Sequence, residues 1–79
     1  MSDIRERCIK VMAQIMEIEH TEITDDSSPD NLEQWDSLSH VQLVLNLEKE
    51  FNIKISPEEG IEYFIDLISI VEYIRGKTD

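Results

Sequence analysis

Apolar residues recur along this chain at intervals of three and four, and they form no alternating runs. That period predicts helices rather than strands. Ile4, Cys8, Val11, Met12 and Ile15 define one stripe of a first helix from about Asp3 to about Glu17. Ile9 and Met16 widen the stripe, and Ser2 or Asp3 can cap the helix. The pattern then lapses from about Glu19 to Trp35 into Thr, Ser, Asp and Asn around Pro29. A structureless stretch of that length is unusual in a short chain and is either functional or well anchored. Ile23 and Leu32 are its apolar anchors.

Periodicity resumes from about Ser37 to Phe51, with Asp36 as N-cap. Asn52 ends this helix, and Ile53 and Ile55 flank Lys54 in a short extended connector. Ser56-Pro57-Glu58-Glu59 then reads as a capping box with proline at the first helical position. The helix it opens is expected to be short, interrupted by Gly60 and reaching at most about Tyr63. Asp66 can cap a last helix from about Leu67 to Arg75, whose buried stripe is Leu67, Ile70, Val71 and Ile74. Gly76 is its expected stop. The 79 residues, with two glycines and two prolines, therefore read as one all-α domain. Its architecture is a four-helix bundle of three longer helices and one short one, with a long first loop.

The second helix carries two apolar stripes. Leu43, Val44, Leu47 and Phe51 fall on one side at about 100° per residue. Leu38, Val41 and Leu45 fall on nearly the opposite side. The second stripe is either further core or an exposed apolar surface, and a chain this small cannot cover every face of a helix. Exposed, it reads as a docking surface. Ser37, in the first turn beside this stripe, should present an accessible hydroxyl near unpaired backbone N–H groups and the positive end of the helix dipole. A phosphate ester is electrostatically welcome there.

Charge and cysteine content narrow the partners. The formal net charge is −11, from 18 acidic and 7 basic residues. This disfavours nucleic acid and anionic membranes, and favours partners with basic patches. Acidity also serves solubility alone. Cys8 is the sole cysteine, so no internal disulfide forms; within the helical stripe it reads as a small core residue. The first residues lack the apolar region of a secretory signal, and no apolar run is long enough to span a bilayer. A cytoplasmic location and a monomer are the expectations.

Other chemistry finds little support. Ser37 lies in no Gly-x-Ser-x-Gly elbow, and although His40 is three residues on, no oxyanion hole is suggested. His40 reads as a polar helix residue and His20 as a loop residue. Asp25-Asp26-Ser27-Ser28-Pro29-Asp30 lacks the glycine and glutamate of a calcium loop. Two histidines and one cysteine make no zinc site. Trp35 serves as a loop anchor or hydrophobic staple, as an aromatic wall beside Ser37, or as both.

With these residues placed, the chain resembles the acyl carrier protein family, including the peptidyl carriers. The resemblance spans essentially the whole chain. It rests on the acidic character, the long first loop, Asp36-Ser37-Leu38 opening a helix, and the helix from Val41 to Phe51. It implies a four-helix bundle whose serine carries 4′-phosphopantetheine, installed from coenzyme A by a phosphopantetheinyl transferase that uses magnesium. It further implies that Ser37 is the attachment oxygen, that Asp36 is the adjacent motif acid, and that Leu38, Val41 and Leu45 face partner enzymes. Glu48 matches an acidic recognition position. The arm's thiol would carry acyl or aminoacyl thioesters between loading and processing enzymes in fatty acid, polyketide or related specialised biosynthesis, while the protein itself catalyses nothing.

The chain departs from the pattern of fatty acid synthase carriers at Ser39-His40, where an acidic residue is expected after Leu38, and at Gln42 and Lys49. Trp35-Asp36-Ser37-Leu38 is reminiscent of specialised carriers, which points to a dedicated pathway such as polyketide, modified-sugar or aminoacyl chemistry. The alternative is a non-catalytic acidic helical module that binds a basic partner through Leu38, Val41 and Leu45. Such a module has no need of an accessible serine after a helix cap.

Overall fold

The computed structural model describes residues 4–78. Among them the secondary structure is entirely helical: α1 (Ile4–Met16), α2 (Ser37–Phe51), α3 (Pro57–Glu62) and α4 (Leu67–Thr78), with a 3₁₀ turn at His20–Glu22. The expected capping residues Ser2 and Asp3 lie outside the described residues. No described helix is long and apolar enough to cross a membrane.

α1 packs against α2 and α4. Cys8, Ile9, Val11, Met12 and Met16 of α1 are buried with Leu43 and Leu47 of α2 and with Leu67, Ile70, Val71 and Ile74 of α4. Ile4 and Ile15 are half-buried at the margin, and Ala13 joins the core. Arg7 ties α1 to the end of α2: its Nε donates to Glu50 at 2.8 Å, and its guanidinium lies 4.4 Å from the centre of the Phe51 ring.

α1 and α2 stop in the same way, without glycine. Glu17 and Asn52 both adopt left-handed backbone, with φ of 55° and 54°. The next amides, of Ile18 and Ile53, reach back to Ala13 O at 3.2 Å and Glu48 O at 3.1 Å. These bonds satisfy carbonyls that the helix end would otherwise leave bare. Both isoleucines also pack on the core.

Three expectations need correction. The first loop is not structureless. A capping box between Glu19 and Glu22 opens its 3₁₀ turn, Ile23 is buried, and Leu32 is half-buried. Ser27, the buried polar residue of the loop, accepts Thr24 N–H on its hydroxyl at 2.8 Å and Leu67 N–H on its carbonyl at 3.0 Å. Asp25 O takes Ile68 N–H at 3.3 Å, so the loop supplies acceptors to the start of α4. Asp66 completes that cap by accepting Ser69 N–H at 2.8 Å.

The other two corrections concern glycines. Gly60 does not interrupt α3; it is buried inside it, where a β-carbon would lie 3.3 Å from Val44 Cγ2. Gly76 does not stop α4, which runs on to Thr78. Its backbone is not left-handed, and nothing lies within 4 Å of where its β-carbon would be. Arg75 and Lys77 in the last turn favour that continuation at the negative end of the helix dipole.

Candidate functional site

The site is built around the first turn of α2. Asp36 sits before the helix in extended backbone, φ −94° and ψ −175°, and its carboxylate accepts Ser39 N–H at 2.9 Å. Its carbonyl takes His40 N–H at 2.8 Å. The Ser39 amide, and after it the Ser39 side chain, hold the Asp36 carboxyl below its ordinary range. This cap fixes Ser37 as the first helical residue, exposed to solvent and beside N–H groups that precede any intrahelical acceptor.

The two stripes of α2 separate cleanly. Leu43 and Leu47 are wholly buried, and Val44 and Phe51 half-buried. Leu38, Val41 and Leu45 remain 69%, 55% and 53% exposed. The second stripe is therefore surface, and it runs directly from Ser37.

Trp35 is buried, as a loop anchor should be. Its indole Nε1–H donates to His40 Nδ1 at 3.1 Å. His40 Nε2 lies 2.7 Å from Gly60 O in α3. An indole only donates and a carbonyl only accepts, so this geometry assigns His40 the neutral tautomer with its proton on Nε2. The Trp35 and His40 rings stack at 6.3 Å, and Phe64 meets His40 edge-on at 6.2 Å. His40 is thus a polar residue of α2, as expected, and one with more partners than a surface position offers. It is half-buried, and both ring nitrogens are engaged away from Ser37. It does not serve as a base for the serine.

Beside Ser37 opens a cleft of about 520 Å³ lined by Pro29, Trp35, Asp36, His40 and Val41. Trp35 is therefore a core anchor that also lines the cleft beside Ser37. A smaller cleft of about 280 Å³ runs on past Pro29 and His40 to Ile61, Phe64 and Ile65. Ile61 and Ile65 are 75% and 55% exposed. No sequence expectation marked them, since α3 is too short to display a period and Ile65 lies in the connector after it.

Glu48 also supports the backbone. Its Oε2 accepts Ile55 N–H at 2.8 Å, which fixes the connector between α2 and α3. Among the described residues, no group of three or more His, Cys, Asp or Glu side chains could hold a metal ion.

A family model described as a phosphopantetheine attachment site matches residues 6–74. The chain belongs to the phosphopantetheine-binding carrier family. Carriers of this family bear 4′-phosphopantetheine covalently, are not themselves enzymes, and work with a phosphopantetheinyl transferase and with biosynthetic enzymes. The carrier's surface fits such a group: the cleft leaves room beside an exposed hydroxyl, and the positive pole of α2 suits a phosphate. Asp36 is the one carboxylate lining that cleft, and it is turned to the Ser39 amide by its capping bond.

Proposed function

We propose that Ser37 Oγ is the attachment atom of the carrier, and that the chain delivers acyl or aminoacyl thioesters to partner enzymes of a specialised pathway. The observation that carries this reading is the exposed serine at a capped helix start, flanked by the exposed Leu38, Val41 and Leu45. Attachment breaks the serine O–H bond and forms an O–P bond, with adenosine bisphosphate leaving coenzyme A and the proton passing to the transferase. Once bound, the arm supplies a terminal thiol for the thioester.

The chain's own residues do the rest. Asp36 fixes the helix start and so the direction of the Ser37 hydroxyl. Leu38, Val41 and Leu45 offer apolar contact to whichever enzyme the arm visits. The net charge of −11 steers basic partners in quickly, as brief visits require. Tethering raises the local concentration of cargo at each docked enzyme. Glu48 contributes to that acidic field with a carboxylate held in place by Ile55. Ser39, His40 and Gln42, where acidic residues or their neighbours stand in fatty acid synthase carriers, favour a pathway other than bulk fatty acid synthesis.

Intact mass after incubation with coenzyme A, magnesium and a promiscuous phosphopantetheinyl transferase tests the attachment. The expected gain is one phosphopantetheinyl group on the natural chain and none on Ser37→Ala. No gain on the natural chain, or an equal gain on the variant, overturns the assignment. The pathway is tested separately by complementation: unchanged rescue of a housekeeping carrier deletion argues against a specialised role.

A further inference from the structure

The two clefts meet at one side chain. Both are lined by Pro29 and His40. His40 spans the seam between α2 and α3, accepting Trp35 Nε1–H at one ring nitrogen and donating to Gly60 O from the other. The two helices touch again at Gly60, where an added β-carbon would lie 3.3 Å from Val44 Cγ2 and 3.8 Å from Ile55 Cγ2. The seam is thus bonded at one point and, at the second, too tight to take even a methyl group without displacing Val44.

An apolar group tethered at Ser37 gains by leaving water. One destination is the core, where Leu43, Leu47 and Ile70 are fully buried. Entering it between α2 and α3 means parting Gly60 from Val44 and breaking the His40–Gly60 bond, which strands a buried carbonyl. The other is the open groove to Ile61 and Ile65, and reaching it disturbs nothing.

We propose that His40 is a latch on the α2–α3 seam, which keeps an apolar acyl group tethered at Ser37 out of the core and on the outer groove of Pro29, Ile61 and Ile65. The inference rests on attachment at Ser37. It makes His40 a specificity-determining residue that acts through the seam and never touches the reacting thioester. A carrier latched in this way keeps its cargo open to partner enzymes, and it takes short or polar groups as readily as alkyl ones.

The test has two stages. The first uses the unmodified chain and follows exchange of the Trp35 indole proton by NMR in the natural protein, His40→Ala and His40→Gln. Exchange should be about tenfold faster in His40→Ala, since the donor loses its acceptor. His40→Gln, whose amide still donates towards Gly60 O, should fall between the two and carries the comparison if the alanine variant unfolds. Equal rates in all three mean that Trp35 does not hold the His40 ring in place at the seam, and overturn the latch. In the second stage the chain is loaded with an amide-linked hexanoyl-pantetheine analogue, and loading is checked by mass. Methyl signals of Val41, Ile61 and Ile65 should move in the natural protein while those of Leu47, Ile70 and Ile74 hold. In His40→Ala the core methyls should move as well. Core shifts of equal size in both proteins overturn the proposal. Failure to load appears in the mass and overturns attachment at Ser37, and with it the statement about cargo; the latch itself is decided by the first stage.

Discussion

The two long sides of α2 carry similar side chains and meet opposite fates. Leu43 and Leu47 are shut away against α1, in one core with residues of α4, whereas Leu38, Val41 and Leu45 stand more than half exposed. The period of the sequence places both stripes on a helix, but it gives no reason to bury one and expose the other. The neighbours decide that. α1 and α4 offer apolar surface to one side only, and burial is worth having only where a partner exists. A helix evolved for stability alone would carry polar residues on its open side. Keeping three aliphatic residues there, next to an exposed serine, costs solubility, and the contact surface proposed for them is what would offset that cost.

Substitutions around the helix turn this contrast into a graded series. Leu47→Ala should cost the most, about 2–5 kcal/mol in chemical denaturation, since it empties a fully buried position. Val44→Ala lies on the border between the two sides. It should cost about 1–2 kcal/mol, because the side chain is half-buried and touches Gly60. A loss as large as that of Leu47→Ala would place the border wrongly.

Asp36→Ala, at the point where the two sides begin, should be milder and pH-dependent. The folded carboxyl titrates below its ordinary range. Its contribution is therefore complete at neutral pH and fades as pH falls through that lowered value. The melting temperatures of Asp36→Ala and the natural protein should converge in acid. A gap that persists there would mean that the cap acts by some means other than its charge.

Leu38→Ala, Val41→Ala and Leu45→Ala should have the smallest effect on stability, within about 0.5 kcal/mol. The same changes should slow loading by a phosphopantetheinyl transferase. Unfolding of any of them, or loading at the natural rate by all three, removes the distinction between the two sides.

What the sequence disclosed follows the range of the interactions involved. The limits of α2, the Asp36 and Asp66 caps and the Ser56–Glu59 box are all settled within four residues, and each was legible. Gly60 and Gly76 defy a local reading because a glycine's meaning depends on what faces it. One makes room for Val44, and the other merely sits in an exposed helical turn. The order in the first loop was hidden for a similar reason, since Ser27 and Asp25 find their partners in α4, some forty residues away. At the site, Ser37 and its flanking stripe could be read from local pattern. The bond from His40 to Gly60 joins residues twenty apart, and nothing in either neighbourhood announces it.

Trp35 is the only tryptophan in the chain, and it lies two residues before Ser37 with its indole buried and bonded to His40. Its fluorescence therefore arises from one place, shielded from solvent and at the edge of the Ser37 cleft. The emission maximum and lifetime of the unlabelled protein form an optical gauge of that cleft. Changes at the serine, and the arrival of a partner along the exposed side of α2, become readable in solution without any dye.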